Sequence, residues 1–199
     1  MSGLRERKKK NTEEKILSAG KEILLSKGYN DATMEEIADK AEIGVGTLYN
    51  YFKSKGEIFV KVISKELYLD ENNNEETTSV IEMVISYLWK YIMNMKLFGK
   101  LVWRELFAVM FASTKTDDLN IKGLVNIDVI FVKKLEQLLD SAIEKEMLPK
   151  GFDSKEASYI IFSIIFTQTM MYIYMEEISF EEFETQVKNQ ITFLFEGKC

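Results

Sequence analysis

Four small residues in a row, Gly44, Val45, Gly46 and Thr47, stand between two apolar, helix-forming stretches at 33–41 and 48–52. Side chains of that size at the head of a helix let it enter the DNA major groove, so the chemistry on offer is hydrogen bonding to base edges. Catalytic chemistry has less to draw on. The chain has no histidine and a single cysteine, Cys199. That removes His-based zinc sites, Ser-His-Asp and Cys-His catalysis, and the commonest general base. Carboxylates and lysines remain, but no nucleophile–base pair, metal cluster or phosphate-cradling glycine loop is visible, and no enzyme, metal or cofactor is expected.

A small leading edge reads DNA only if two helices hold it in place. The segment TMEEIADKAEIGVGTLYNYF, residues 33–52, has the pattern. Thr33 can cap the first helix while Glu36 closes a capping box. Ile37, Ala38, Ala41, Ile43, Leu48 and Phe52 recur at the spacing of a buried face, and Glu42-Ile43-Gly44 breaks the helix between them. Two helices joined by three residues that include a glycine make a helix-turn-helix. Before it, a helix is predicted from about Asn11, with Ile16, Ala19, Ile23 and Leu24 inward, ending at Lys27-Gly28. After it, Ser54 and Glu57 predict another box and a helix through Ile58, Phe59, Val62, Ile63 and Leu67.

Beyond a polar linker at 70–79, apolar periodicity predicts helices near 79–95, 98–113, 121–148, 154–176 and 179–196. The breaks fall around Gly99, at 113–123, at Pro149-Lys150-Gly151 and at Glu176-Glu177. One proline and ten glycines leave room for long helices and speak against a turn-rich sandwich or barrel. The fold class expected is all-α with about nine helices. A three- or four-helix DNA-binding bundle at 1–70 precedes a helical domain at 71–199.

Net charge is −6 over 199 residues, at first sight wrong for DNA. It is unevenly placed. Residues 1–61 hold 12 Lys+Arg against 10 Asp+Glu, while residues 62–199 hold 14 against 22. That asymmetry suits a protein of which one end meets phosphate. Arg5, Arg7, Lys8, Lys9 and Lys10 add a basic arm, which reads either as a solvated run or as an arm reaching a neighbouring groove. The arm leads into Asn-Thr-Glu-Glu and not into an apolar stretch, so it is not a signal peptide. A cytoplasmic location is expected.

In this register the chain resembles the TetR family of bacterial regulators. The resemblance rests on Thr33, Ile37-Ala38, Ala41, Gly46-Thr47-Leu48-Tyr49, Tyr51-Phe52 and Ser54-Lys55, spans about residues 11–65 and covers about a third of the chain. It implies that Thr33 and Lys55 contact phosphate. Tyr49 packs and reaches the backbone, while Val45 to Thr47 and Asn50 face bases, with Asn50 suited to a bidentate contact with adenine. Gly44 and Tyr51 complete the expected DNA surface. Two departures stand out. Glu42-Ile43-Gly44 replaces the frequent Gly-Val-Ser, so the recognition helix lacks a side-chain cap, at a cost of about 0.5 kcal/mol. Glu42 also adds a negative charge near the DNA face.

The resemblance further implies a homodimer that binds a palindromic operator and releases it when a small molecule enters the C-terminal domain. The helices near 154–176 and 179–196 are expected to form the dimer interface. The first is apolar on two stripes, one through Ala157, Ile160, Ile161, Ile164, Gln168, Met171 and Met175, the other through Tyr159, Phe162, Phe166, Met170 and Ile173. Ser163, Thr167, Gln168 and Thr169 interrupt it, which favours a buried interface helix over a membrane span. Phe180, Phe183, Val187, Ile191 and Leu194 line the second. Candidates for a small, largely apolar effector are Trp89, Met93, Trp103, Arg104, Phe107, Phe111, Asp128, Phe131 and Gln168. An aromatic stripe is equally the mark of plain core. Arg104, Glu105 and Asp128 either pair with each other or face solvent, or else a carboxylate there reads a cationic ligand or Arg104 an anionic one. The rival reading is an architectural DNA-binding protein with no ligand.

Overall fold

The computed structural model describes residues 2–68, 79–112 and 119–196, and all regular elements among them are helices. In chain order these are α1 (Ser2–Lys27), α2 (Met34–Lys40), α3 (Val45–Tyr51), α4 (Lys55–Tyr68), α5 (Val80–Ala112), α6 (Leu119–Glu144), α7 (Ser154–Tyr174) and α8 (Phe180–Glu196). The fold is all-α, with a helix-turn-helix in α2 and α3. Most of the 70–79 linker, the first part of the 113–123 break and Cys199 lie outside the described residues.

The difference between nine expected helices and eight described ones comes down to Gly99. The segments at 79–95 and 98–113 are two helices that share the label α5 across a kink at Gly99, the expected break, where φ 71° and ψ 169° are open to glycine and foreign to a helix. α1 begins nine residues earlier than Asn11. Nothing from Ser2 to Lys10 breaks a helix, and Arg, Lys and Leu propagate one readily. α6 ends at Glu144 and not near 148, because Glu146 turns left-handed at φ 59°. The Met147 amide then donates to the Ala142 carbonyl at 2.9 Å and the Glu146 amide to Ile143 at 3.0 Å, a Schellman closure built without glycine.

The chain divides into two compact units, one of residues 1–69 with 101–124, the other of 70–100 with 125–199. The second half of α5 therefore packs with the N-terminal helices, where the sequence placed one boundary at 70/71. In the first unit Ile16, Leu24, Ile37, Leu48, Ile58, Phe59 and Ile63 are fully or almost fully buried. α1 and α4 approach so closely that a Cβ added at Gly20 would lie 2.6 Å from Ile58 Cγ2. In the second unit Val84, Leu88, Ile92 and Met95 of α5 turn inward at spacings of three and four. They join a core built from Leu135, Leu139 and Ala142 of α6, Ile161, Ile165 and Ile173 of α7, and Phe183, Val187 and Ile191 of α8. Tyr172 stacks on Phe183 with centroids 5.0 Å apart, locking α7 to α8.

Candidate nucleic-acid interface and effector unit

The helix-turn-helix is assembled from local rules. Thr33 Oγ1 accepts from the Glu36 amide at 3.2 Å, and the Glu36 carboxylate accepts from the Thr33 amide at 3.2 Å, closing the capping box. Lys27, at the end of α1, donates to the other Glu36 oxygen. These bonds hold the Glu36 carboxyl below its ordinary range, the Lys27 contribution being largest. α2 ends in a second Schellman closure. The Glu42 amide donates to Asp39 and the Ile43 amide to Ala38, both at 3.0 Å, and Glu42 sits left-handed at φ 57°. Gly44 then caps α3 through its backbone alone, with no side-chain bond.

The short α3 shows one face inward and the rest outward. Leu48 is fully buried, whereas Gly46, Thr47, Tyr49 and Asn50 are exposed and Val45 and Tyr51 are half-buried. A helix of small leading residues, anchored by one leucine and free on the opposite side, is shaped to lie in a major groove. Glu42, fully in solvent, is paired at 3.5 Å with Lys15 of α1, which offsets part of its charge.

Lys55 is placed differently from what the resemblance implies. Its ammonium donates to the carbonyls of Tyr29, Asn30 and Ala32 at 2.7, 2.9 and 2.9 Å and lies 4.8 Å over the Tyr29 ring. A lysine has three N–H bonds, and all three are taken, so no donor is left for a phosphate. Here Lys55 ties the α1–α2 loop to α4. The Thr33 hydroxyl is likewise engaged, accepting from the Glu36 amide and donating to its carboxylate at 3.1 Å.

A further anchor of the same loop is Glu105, expected to pair with Arg104 or Asp128 or to meet a ligand or solvent. Glu105, on the second half of α5, accepts from the Tyr29 amide at 2.6 Å and from the Asn30 side chain at 3.0 Å. Gly28, at φ 81°, makes room for it: a Cβ there would come within 2.8 Å of the Glu105 carboxylate. The pairing joins residues 75 and 76 positions apart, and no local pattern announces such a contact.

The nine effector candidates do not share one unit. Trp103, Arg104, Phe107 and Phe111 belong to the first, where Trp103 is buried and the Phe107 and Phe111 rings stack at 5.9 Å. Trp89, Met93, Asp128, Phe131 and Gln168 belong to the second. Trp89 and Met93 fall on the exposed side of α5, with Lys188 of α8 lying 5.2 Å over the Trp89 ring. The inward set is Asp128, Phe131 and Gln168, to which the structure adds Tyr91 and Thr169. Phe131 touches Tyr87, Tyr91 and Phe162 at centroid distances of 5.2, 5.5 and 6.0 Å. Burial pushes the Asp128 carboxyl up to about 6. Burial also raises the Tyr91 phenol, the Asp128 charge adds to that, and the Thr169 hydroxyl opposes it. Thr169 Oγ1 is itself buried and makes no hydrogen bond of full geometry. A half-buried carboxyl, a buried phenol and a buried hydroxyl thus stand beside aromatic rings, in a core that also buries Asn94, Ser158 and Gln168. Among the described residues no group of three or more carboxylates or thiols is placed to hold a metal.

On α7 the buried line runs through Ser154, Ala157, Ser158, Ile161, Ile165, Gln168, Thr169, Tyr172 and Ile173. Tyr159, Ile160, Met171 and Tyr174 face outward, as does Phe193 of α8. The two stripes read from the sequence are therefore regrouped: Ile160 and Met171 are exposed where Ile161 and Gln168 are buried. α7 is the one helix among the described residues long and apolar enough to cross a membrane, with about half of it covered within the chain.

A capped helix, a tight turn and a second helix with a free face of small and hydrogen-bonding residues define a helix-turn-helix DNA-binding protein. Residues 16–62 match the family model described as bacterial regulatory proteins, tetR family. The N-terminal helices are thus similar to the DNA-binding domain of the TetR family, and the chain is a TetR-like DNA-binding transcriptional regulator. The fatty acid metabolism regulator protein of Bacillus subtilis (strain 168) is 24% identical over 160 residues, covering 75% of this chain and 77% of that protein. Other curated regulators align over shorter stretches, 30% of their own length. The fold is shared with a TetR transcriptional regulator from Rhodococcus sp. RHA1 (TM-score 0.66, 16% identity, covering 96% of this chain and 99% of that one). It is shared also with FadR from Bacillus subtilis in complex with stearoyl-CoA (TM-score 0.63, 18% identity, covering 89% and 96%).

Proposed function

We propose that this protein is a cytoplasmic repressor that grips a palindromic operator as a homodimer and lets go when a small, largely apolar molecule enters its C-terminal helices. The observation that carries the reading is the free face of α3. Gly46, Thr47, Tyr49 and Asn50 stand clear of the core, with Val45 half-buried, on a helix fixed by Leu48 and by the capped α2. Asn50 and Thr47 supply base contacts, and Gly44 and Gly46 allow the backbone close to the duplex. Tyr49, Tyr51 and Thr33 border the groove.

The effector is read by the inward set of the second unit. Phe131 with its ring of aromatics supplies apolar contact, and Asp128 and Gln168, with Tyr91 and Thr169, supply the polar groups that fix orientation. The relative named as a fatty acid metabolism regulator and the neighbour holding stearoyl-CoA make long-chain acyl thioesters the first class to test. Ligand binding favours a conformer in which α4 carries the paired recognition helices out of register. The ligand must prefer that conformer by a few kcal/mol to empty the operator.

The test is binding of the full chain to DNA around its own coding region across a salt series, with Tyr49→Ala alongside and stearoyl-CoA added last. Tight, selective binding with a steep salt slope, lost in the variant and reversed by the thioester, is the expected result. Equal affinity for every duplex, unmoved by any acyl ligand, would replace this reading with a ligand-free architectural protein.

A further inference from the structure

The first three turns of α1 cover nothing. Residues 3–11 are all exposed, and the first buried side chain of the helix is Ile16. At 1.5 Å per residue the stretch from Gly3 to Asn11 reaches roughly 12 Å beyond the first half-buried residues of the helix, Thr12 and Glu13. Residues 3–11 carry Arg5, Arg7, Lys8, Lys9 and Lys10 against Glu6, with Glu13 and Glu14 in the next turn, and none of these five cations is ion-paired among the described residues.

Its placement is informative. Lys15, one turn in from the uncovered stretch, is ion-paired at 3.5 Å with Glu42 in the turn that precedes the recognition helix. The uncovered stretch therefore leaves the protein beside the DNA-facing end of α3. Helical spacing adds direction. The stripe through Ile16, Ala19 and Gly20, which packs inside the unit, continues toward the N-terminus as Thr12, Lys9, Lys8 and Arg5. One face of one helix is apolar where protein covers it and basic where protein stops. The first turn holds no acidic residue. Cations at the N-terminal end oppose the helix dipole, so this segment is electrostatically incomplete until an anion lies along it.

We infer that the basic extension of α1 is a second DNA contact, a helical strut that lies along the phosphates flanking the site read by α3. The inference rests on the DNA-binding reading above and adds the surface that α3 does not supply. Phosphate contacts fix register and strength without reading sequence, so the strut raises affinity for every duplex and leaves discrimination to α3.

The experiment uses the full chain and Arg5→Gln/Lys8→Gln/Lys9→Gln, with a duplex selected from a random pool by the unaltered protein and an unrelated duplex of equal length. The slope of log affinity against log salt should become shallower by about 2 to 3 in the variant, since each lost phosphate contact removes about 0.9. The ratio of affinities for the two duplexes should stay within a factor of about 3, because phosphate contacts carry no sequence. Helicity and oligomeric state, measured on the same samples, should be unchanged. An unchanged salt slope would overturn the strut alone. So would a variant that binds both duplexes normally but loses hold of anionic lipid vesicles, which would give the extension to a membrane surface. Failure of the unaltered protein to bind either duplex at low salt would overturn the DNA-binding reading and the strut together.

Discussion

At the scale of single residues, two side chains are doing something other than their type suggests. Glu42 occupies a left-handed position that glycine or asparagine fills at lower cost, and its exposed pair with Lys15 returns little. Glu42→Gly should therefore stabilise the protein by about 1 kcal/mol in denaturant unfolding, because the strain of φ 57° disappears while the Schellman bonds stay. It should also raise affinity for unrelated DNA, since a negative charge leaves the groove side. Loss of stability would mean that the Lys15 pair outweighs the strain. Lys55 gives the opposite lesson. Lys55→Met keeps the length of the stem but strips three carbonyls of a charged donor. The expected cost is about 2 kcal/mol, seen as a lower unfolding midpoint. The salt slope of DNA binding should not move, whereas a residue that neutralised phosphate would flatten it by about 0.9.

Among the elements, what the sequence made legible is what is decided within a turn of helix. The Thr33–Glu36 box spans four residues, the small run at 44–47 opens α3, and Gly28 ends α1, so each could be read in place. The ends of α1 and α6 were less readable, since one depends on propagation past a predicted cap and the other on a glutamate accepting a glycine's geometry. Lys55 and Glu105 find partners 23 to 76 residues away, which only the packed chain determines. The effector candidates were chosen by residue type, and type does not say which face a residue takes. Here a signal was present: with Val84, Leu88, Ile92 and Met95 inward, Trp89 and Met93 had to point out. Tyr91 and Thr169, whose types carry no signal of their own, are buried in the second unit beside the half-buried Asp128. That neighbourhood gives a pH dependence. Asp128 ionises at about 6 when folded and near 3.8 when unfolded, so the native state holds its proton more tightly. Its contribution is fully present below the unfolded value and is lost as pH rises through 6. The loss is roughly 2 kcal/mol, after discounting for partial exposure. Asp128→Asn should flatten the stability profile between pH 4 and 7 and leave the variant the more stable of the two at pH 7. An unchanged profile would place the carboxyl in contact with water.

For the molecule as a whole, the outward side chains of α7 and α8 decide what a single chain can do. Tyr159, Ile160, Met171 and Tyr174, with Phe193 on the next helix, are each more than a third exposed, and they lie on the pair of helices held together by Tyr172 and Phe183. Scattered apolar residues need no explanation, but a cluster on the outer faces of two packed helices is the material of an interface. A two-fold contact would bury it against itself and fix two recognition helices one DNA turn apart, roughly 34–36 Å, on a palindromic site. Ile160→Glu with Phe193→Glu should then yield folded monomers by sedimentation. Each monomer keeps an intact α3, but its second half-site contact is no longer tethered to the first. Operator affinity should fall by about 100-fold or more, the gain that linkage of two sites ordinarily provides. Single-half-site duplexes should bind variant and parent alike. A variant that stays dimeric would move the interface elsewhere on the chain, and a monomer that still bound the full operator tightly would show that one α3 with its flanking contacts suffices.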